Sequence, residues 1–456
     1  MRCLKPKYRY PKEPRLLFDR LAVCLPLALL ILPVPAQAQL SRSESSMIAH
    51  IDREQQRTVA MLETWVNQNS GSQNIDGVTK VGEMLRNELE PLGFKVDWVD
   101  MRSTGRGGHI VARHPGKAGN KRLLLIGHLD TVFEPDSPFQ RWTREGDKGE
   151  GPGAGDNKGG MAVMIAALRA MRAAGTLKNA NIEIVLTGDE EDSGNPIDVA
   201  RRDLIAAGKR ADIALDFEGL SQVVENGALV DMGSIARRSS GSWTVTVTAQ
   251  GGHSSGIFSS AAGNGAIYEL ARIIDTFRRE LPEDKLTFNV GLVGGGDTAK
   301  LDEGRIRLNA TGKTNIIASI AVARGDLRAI SEEQIQRTQN KMKAIVGRSL
   351  HGAKAEIIFD TGGYPPMAPT AGNAALLAKL NRINADLRLP AMGALDPLKR
   401  GAADISFVAK DVDGINGLGP ASTGDHAPGE AVNIPSIWRQ AKRAAILMSR
   451  LAAEKR

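Results

Sequence analysis

Cysteine is nearly absent from the 456-residue sequence, which contains only Cys3 and Cys24. Both lie within the first 38 residues, so a chain that lost this segment would have neither a disulfide nor a thiolate metal ligand. A transition metal bound by the remaining residues must therefore sit on histidine, aspartate and glutamate. Aromatic residues are also sparse at 4%, while the hydrophobic content of 42% and charged content of 24% are typical of a folded globular protein.

The apolar run near the N-terminus is short for a membrane-spanning helix. It covers residues 21–34 and contains Pro26 and Pro33, whereas a span needs about 20 apolar residues. Basic residues precede the run, and Ala36-Gln37-Ala38 follows it as a small-x-small cleavage signal. We expect residues 1–38 to be a signal peptide. The protein would then be exported, either periplasmic or secreted, with no membrane attachment after cleavage.

The chain has little net positive charge outside this N-terminal segment. The formal net charge is +7, and residues 1–38 contribute seven basic and two acidic side chains. Removing their five net positive charges leaves a formal charge of +2. Domains that bind nucleic acid usually carry a strongly basic surface, so the sequence argues against a nucleic-acid partner.

Helical and strand-like patterns alternate along most of the chain. Apolar runs at 109–113, 122–127 and 182–187 are typical of strands, and amphipathic patterns such as 159–174 are typical of helices. Their alternation predicts an α/β sheet covered on both faces. The apolar spacing at 47–66 predicts one long helix near the start of the mature chain.

The pattern changes near residue 236. From Trp243 onwards, strand and helix signals follow in the order β-α-β-β-α-β, which is typical of a ferredoxin-like α+β domain. Long helical patterns return after residue 358. We therefore predict a catalytic domain formed by residues 39–236 and 359–456, interrupted by an inserted domain at 237–358.

One apolar strand ends in a histidine and an aspartate, His128 and Asp130. Residues i and i+2 of a strand face the same side, so the Asp130 carboxylate can reach the imidazole of His128. A metal-ligating histidine usually donates its second ring N–H to such a partner. Taken alone, the pattern fits a core histidine beside a turn better than a metal ligand.

A glycine-rich bend, Gly151-Pro-Gly-Ala-Gly-Asp156-Asn-Lys-Gly-Gly160, leads into the next helix. Its glycines allow the backbone to pack closely around Asp156. The spacing matches neither a P-loop nor a dinucleotide-binding loop. A plain strand-to-helix connection is the alternative interpretation.

Acidic residues follow two further apolar strands. Glu190 and Glu191 come after one strand, Glu218 after another, and His426 lies in a polar loop. Neighbouring carboxylates repel one another unless a cation offsets their charge, although solvated acidic loops are common. Ligand sites in α/β sheets lie at the carboxyl ends of the strands. The combination therefore predicts a site for zinc or a similar divalent metal.

These motifs together resemble the di-zinc exopeptidase family of glutamate carboxypeptidase, aminoacylase and acetylornithine deacetylase. The resemblance extends from about residue 50 to residue 450 and is closest to the glutamate carboxypeptidase branch. The matching motifs are Gly127-His-Leu-Asp-Thr-Val132, Glu145-Gly-Asp147, Gly151-Pro-Gly153, Asp156-Asn-Lys-Gly-Gly160 and Thr187-Gly-Asp-Glu-Glu191. The resemblance implies an α/β mixed-sheet catalytic domain with an inserted ferredoxin-like dimerisation domain, or lid.

The resemblance also implies two zinc ions per subunit, with cobalt or manganese as alternatives. Asp130 would orient His128, and Glu190 would be the general base. The implied ligands are Asp156 as the bridge, His128 and Glu218 on one ion, and Glu191 and His426 on the other.

Three residues of the inserted domain have roles that only the resemblance implies. His253 would reach into the partner subunit's site of a homodimer and steady the substrate carbonyl. Asn315 would bind substrate, and Arg328 would hold the substrate carboxylate. One departure from the family pattern is Gly401-Ala-Ala-Asp404, which replaces a glycine-rich tract and leaves the shape of that loop open.

The resulting hypothesis is a metallohydrolase of the carboxypeptidase type. It would cut a small peptide or N-acyl amino acid at the amide bond beside a free carboxylate, through a water between the metals. An N-acyl-amino-acid deacylase of the aminoacylase or desuccinylase type is the alternative, although predicted export disfavours it. A non-catalytic, metal-dependent binding protein would have no need of Glu190, and this argues against that class.

Overall fold

The computed structural model describes residues 40–456. The predicted signal peptide at 1–38 lies outside these residues. Within 40–456, no helix combines the length and the apolar character that crossing a membrane requires.

Two helices open the described part of the chain where the apolar spacing predicted one. The α-helices are α1 (Arg42–Arg53), α2 (Gln55–Val66), α3 (Ile75–Leu89), α4 (Lys158–Ala173), α5 (Ile197–Ala200), α6 (Arg202–Arg210), α7 (Gly265–Glu280), α8 (Glu332–Val346), α9 (Ala371–Asp386) and α10 (Ile434–Ala453). A capping box at Ser41 starts α1 earlier than predicted. At Glu54 the backbone N–H is shared between the carbonyls of His50 and Ile51, which interrupts the helix, so the prediction of a single helix at 47–66 is wrong.

The strands fall into several sheets. They are β1 (Lys95–Asp100), β2 (Gly108–His114), β3 (Arg122–His128), β4 (Thr143–Glu145), β5 (Lys148–Glu150), β6 (Asn181–Thr187), β7 (Ile213–Asp216), β8 (Ser221–Glu225), β9 (Ala228–Gly233), β10 (Gly241–Ala249), β11 (Gly252–His253), β12 (Thr287–Gly296), β13 (Thr298–Leu301), β14 (Leu308–Thr311), β15 (Ile316–Ile317), β16 (Ile320–Arg328), β17 (Ala353–Phe359), β18 (Gly393–Ala394), β19 (Gly414–Asn416), β20 (Ser422–Thr423) and β21 (Ala431–Asn433).

The largest sheet is mixed and has the strand order β1-β2-β6-β3-β7-β19. Strands β6, β3, β7 and β19 run parallel to one another. Strands β1 and β2 add an antiparallel edge beside β6. The carboxyl ends of β6, β3 and β7 therefore meet at one edge of the sheet.

Both faces of this sheet are covered, as the sequence predicted. Alternate residues of β3 enter two different cores. Leu123 and Leu125 pack in the cluster that contains the buried faces of α1, α4 and α10. Leu124 and Ile126 pack in a second cluster with residues of α6 such as Leu204. This two-sided burial explains why β3 is a continuous apolar run.

The inserted part of the chain forms its own antiparallel sheet, in the order β12-β16-β10-β17. Helix α7 follows β10 and helix α8 precedes β17, so the chain order is β-α-β-β-α-β. Trp243 packs edge-on against Phe277 of α7 at 5.6 Å between ring centroids, within a separate apolar cluster. The ferredoxin-like fold predicted for this part is confirmed, while its limits at 237 and 358 stay a prediction.

Candidate active site

The strand ends bring most of the predicted site residues together. His128 is the last residue of β3, and Glu218 lies two residues beyond the end of β7. Glu190 and Glu191 follow β6, the neighbour of β3 on the other side. Asp156 stands just before the first turn of α4. Parallel pairing of the three strands thus collects residues that lie far apart in the sequence.

The first metal-ligand group joins three of these side chains. His128 Nε2 lies 3.0 Å from Asp156 Oδ1 and 3.3 Å from Glu218 Oε1. The imidazole is almost completely buried, with 1% of His128 exposed. One nitrogen and two carboxylate oxygens thus converge on a single point.

The second group uses the other oxygen of Asp156. His426 Nε2 lies 3.3 Å from Asp156 Oδ2 and 3.1 Å from Glu191 Oε2. In each group the potential ligand atoms all lie within 4.8 Å of one another. The carboxylate of Asp156 therefore belongs to both groups.

His426 is placed by a short hairpin rather than by the main sheet. Strands β20 and β21 pair on either side of its loop, and β21 also pairs with β5. His426 itself adopts a left-handed backbone conformation, with φ of 64°. This small sheet carries the imidazole to Asp156 from the C-terminal part of the chain.

Asp130 connects His128 to the two glutamates, in the position expected from the His-x-Asp pattern. Its Oδ1 lies 3.2 Å from His128 Nδ1. Its two carboxylate oxygens also accept the backbone N–H groups of Glu190 and Glu191, each at 3.0 Å, and Ser72 donates to Oδ2 at 2.6 Å. Donation from Nδ1–H to Asp130 leaves the Nε2 lone pair of His128 free for a metal.

Asp156 is held by the bend that precedes α4. Its peptide bond to Asn157 is cis. Asn157 links two strand ends, since its Oδ1 accepts the His128 N–H at 3.4 Å and its Nδ2 donates to the Phe217 carbonyl at 3.1 Å. These two hydrogen bonds hold Asp156 in a fixed position relative to the ends of β3 and β7.

Glu430 supports the same bend and was not identified from the sequence. Its Oε1 accepts the N–H groups of Gly155 and Asp156, at 2.8 and 3.0 Å. Burial raises the pKa of Glu430 to about 8. The available signal was an acidic residue four positions after His426, but only its burial distinguishes it from a surface glutamate.

Lys158, at the start of α4, is fully buried and stabilises the local backbone. Its Nζ donates to the backbone carbonyls of Gln68 and Pro152, at 2.9 and 3.4 Å. Burial lowers the pKa of Lys158 to about 7. This lysine fastens the glycine-rich bend to the end of α2.

A buried ionic network supports the backbone of Glu190 and was also missed. Arg201 donates to the carboxylates of Asp189 and Asp404, at 2.6 and 2.7 Å. It also donates to the Tyr364 hydroxyl at 2.9 Å, and that hydroxyl donates to the Glu190 carbonyl at 2.8 Å. The Glu190 backbone is thus fixed from both sides, by Asp130 and by Tyr364.

The Glu190 side chain faces an acidic environment. Burial, together with the charge of Glu218, raises the pKa of Glu190 well above its usual range. A carboxyl group with a raised pKa is suited to accepting and returning a proton near neutral pH. Among the described residues, this side chain belongs to neither metal-ligand group.

The three predicted residues of the inserted domain lie away from this cluster in the same chain. His253 is exposed, and its Nδ1 pairs with Ser255 Oγ at 2.8 Å. Asn315 is exposed as well, and Arg328 Nε donates to Asp326 at 3.0 Å. Among residues 40–456, no hydrogen bond or ion pair joins any of the three to the metal-ligand groups.

The donor set fits divalent metal ions. Two groups of imidazole nitrogen and carboxylate oxygen that share one carboxylate suit zinc and similar transition metals. Glu191 Oε1 is buried and has no hydrogen-bond partner among the described residues, and a bound metal ion would supply one. Without a cation, so many carboxylates in a buried site would repel one another.

Comparison with known proteins agrees with this geometry. The model of peptidase family M20/M25/M40 matches residues 124–450. The chain is 28% identical over 414 residues to carboxypeptidase G2 from Pseudomonas sp. (strain RS-16), covering 88% of this chain and 91% of that protein. It is 24% identical over 374 residues to the succinyl-diaminopimelate desuccinylase of Delftia acidovorans, covering 78% of this chain and 88% of that enzyme.

The fold is similar to that of solved structures as well. The crystal structure of aminopeptidase PepT from Bacillus cereus superimposes with a TM-score of 0.69 at 19% sequence identity, covering 87% of this chain and 99% of that chain. Sequence, fold and site therefore agree that the chain belongs to peptidase family M20/M25/M40 and is a metallohydrolase acting on peptide or amide bonds.

Proposed function

We propose that this metallohydrolase is a zinc-dependent carboxypeptidase of the glutamate carboxypeptidase type. It hydrolyses the amide bond next to a free C-terminal carboxylate in a small peptide or N-acyl amino acid. The observation that carries the proposal is the shared carboxylate of Asp156, which turns one oxygen to His128 and the other to His426. Carboxypeptidase G2, as a relative along most of the chain, supports the carboxypeptidase assignment.

Asp156 would bridge two zinc ions, with cobalt or manganese as alternatives. His128 and Glu218 would hold one ion, and Glu191 and His426 the other. When bound, two such ions polarise the scissile carbonyl and lower the pKa of a water molecule towards neutrality.

The chain's own residues would carry out the proton transfers. Glu190 takes a proton from the attacking water and passes it to the leaving nitrogen. Its backbone hydrogen bonds to Asp130 and Tyr364 hold it in position for both transfers. Asp130 also keeps His128 in the tautomer that leaves Nε2 unprotonated.

We also propose that the enzyme acts as a homodimer. His253 is exposed on the inserted domain, where it would reach the partner subunit's site and donate to the substrate carbonyl oxygen. Asn315 would contact the substrate, and Arg328 would hold the free carboxylate next to the scissile bond. These three roles follow from the family resemblance, and the exposure of His253 and Asn315 is compatible with them.

A deacylase of N-acyl amino acids is the second candidate. It is favoured by the desuccinylase of Delftia acidovorans, a relative along 78% of the chain. Both candidates use the same metal ligands and the same base. They differ in whether the group on the carbonyl side of the scissile bond is a peptide or a simple acyl chain.

Export remains part of the proposal. The basic start, apolar run and Ala36-Gln37-Ala38 signal of residues 1–38 support cleavage after residue 38. The purified exported protein should then begin at Gln39. N-terminal sequencing of cell-envelope and medium fractions tests this, and an intact Met1 in the active protein would contradict it.

The activity is tested with the zinc-loaded protein and a panel of peptides, acyl-glutamates and other acyl-amino acids. Mass spectrometry identifies the products. We expect release of a C-terminal amino acid from substrates with a free carboxylate, and much slower release when that carboxylate is amidated. Cleavage confined to simple acyl groups would favour the deacylase, and cleavage of amidated substrates at equal rates would contradict both candidates.

A further inference from the structure

Two arginines converge on the segment that carries Glu218, and neither has a role in the proposed mechanism. Arg237 is only 3% exposed, and its Nη1 lies 3.6 Å from Glu218 Oε2. Arg400 donates through Nη2 to the carbonyl of Gly219. Two guanidinium groups thus lie beside the first metal-ligand group.

Both arginines have unused hydrogen-bonding capacity. Arg237 Nη1 and Arg400 Nε are buried, and neither atom has a hydrogen-bond partner among residues 40–456. Buried N–H groups are nearly always paired in folded proteins. Two such donors, on guanidinium groups that contact Glu218 and Gly219, are typical of a site whose acceptor belongs to a ligand.

The loop that carries Arg400 is tied to Arg237. Arg237 Nε donates to the carbonyl of Gly401 at 2.7 Å, so the two arginines keep a fixed relation to each other. This loop begins the segment Gly401-Ala-Ala-Asp404, the point at which the sequence departs from the family's glycine-rich tract. The loop whose sequence differs from the family's glycine-rich tract is therefore the loop that places the cationic side chain of Arg400 at the site.

Most of the acids near this pair of cations belong to the metal-ligand groups. The carboxylates near Arg400 are those of Glu218, Asp156 and Asp425, and the first two also face His128 at 3.3 and 3.0 Å. A bound metal ion would offset the negative charge of those two, which leaves Asp425 as the remaining acid near Arg400. Burial and the charge of Arg237 lower the pKa of Arg400, so an additional anion would relieve the repulsion between the two guanidiniums.

We propose that Arg400, together with Arg237, binds a carboxylate of the substrate beside Glu218, so that Arg400 determines specificity. A guanidinium offers a planar set of donors that matches a carboxylate. The inference rests on the proposed function, because it takes a carboxylate on the leaving amino acid as the ligand. Arg400 would act beside Arg328 if the ligand is a side-chain carboxylate, and in place of Arg328 if it is the α-carboxylate that the family resemblance assigns to Arg328.

The ligand can be either of two carboxylates, and three substrates separate them. An acyl-glutamate carries both an α-carboxylate and a side-chain carboxylate. The matching acyl-glutamine keeps only the α-carboxylate, and the acyl-glutamate α-amide keeps only the side-chain carboxylate. KM and kcat are measured for all three with wild type and with Arg400→Gln, Arg400→Lys and Lys399→Gln.

We expect Arg400→Gln to raise KM about tenfold or more, because it removes a charged hydrogen bond. The increase should affect acyl-glutamate and acyl-glutamine if the site binds the α-carboxylate. It should affect acyl-glutamate and the α-amide if the site binds the side-chain carboxylate. Arg400→Lys should recover part of the loss because it restores the charge. Lys399→Gln removes an exposed charge from the same loop and should change none of the three KM values.

An unchanged KM for all three substrates in Arg400→Gln would overturn the proposal. So would an equal fall in kcat on all three, or a loss of bound zinc, since either result would indicate a structural role. If wild type hydrolyses none of them, the proposed function fails while the anion site is still testable by calorimetric titration with glutarate. Arg400→Gln should then weaken glutarate binding about tenfold or more relative to Lys399→Gln, and equal binding would overturn the site itself.

Discussion

At the scale of single residues, Asp130 makes more contacts than the orientation of His128 requires. Its carboxylate contacts the imidazole and also accepts the N–H groups of both Glu190 and Glu191. The orientation of one metal ligand and the position of the general base therefore depend on the same side chain. This coupling follows from the pairing of β3 with β6.

Asp130→Asn should lower zinc affinity by about 10- to 100-fold, because the amide cannot accept all the hydrogen bonds that the carboxylate accepts. Competition with a coloured chelator measures the affinity. Ser72→Ala is the matched control, since it removes only one donor to the same carboxylate, and its effect should be smaller. Wild-type zinc affinity in Asp130→Asn would contradict the role given to this residue.

The sequence predicted the residues that come together at the site and Asp130 beside His128, but not the other residues that support them. His128, Asp156, Glu191, Glu218 and His426 lie in motifs that could be recognised locally. Their supporting residues depend on contacts between distant parts of the chain. For example, 203 positions separate Arg201 from Asp404 and 274 separate Glu430 from Asp156.

At the scale of secondary-structure elements, the site depends on how β6, β3 and β7 end. Arg201 lies at the start of α6 and joins the loop after β6 to Asp404 and Tyr364. It is completely buried, as is its partner Asp189. The loop that carries Glu190 and Glu191 is thus anchored to two later segments of the chain.

Arg201→Met should destabilise the protein by about 3–5 kcal/mol, because it leaves buried carboxylates without their partner. Urea unfolding of the zinc-saturated protein, followed by circular dichroism, measures the change. The neighbouring Arg202→Met is the control, since the Arg202 side chain is 63% exposed and its loss should change stability by less than about 0.5 kcal/mol. Equal stability of the two variants would show that the buried network is not important for the fold.

The element boundaries show what periodicity cannot predict. The apolar spacing continues across Glu54, so no local pattern marks the point at which α1 ends and α2 begins. The strands of the main sheet were easier to predict from the sequence, because a strand buried on both faces is a continuous apolar run. The β-α-β-β-α-β order of the inserted domain was predictable from alternation alone.

At the scale of the whole molecule, the cluster of metal ligands and His253 lie on different sheets. His253 is exposed, and among the described residues no hydrogen bond or ion pair joins it to the metal ligands of its own chain. A site completed by the partner subunit would account for this separation. Only the family resemblance pointed to His253, since an exposed histidine has no local pattern that marks it.

His253→Ala and Glu190→Gln proteins, each inactive alone, should regain activity when mixed, because a heterodimer contains one site with an intact base and an intact histidine. Two different affinity tags allow the heterodimer to be isolated and its activity measured. Subunit exchange without any recovery of activity would exclude a histidine shared between subunits.

The measurement that tests the central claim most directly is zinc content and turnover of Glu190→Gln in the same sample. Glutamine keeps the shape of the side chain but cannot act as a base, and Glu190 lies outside both metal-ligand groups. We expect two zinc ions per chain, as in wild type, with kcat reduced about 100-fold or more. Turnover near the wild-type rate with both metals bound would contradict the account.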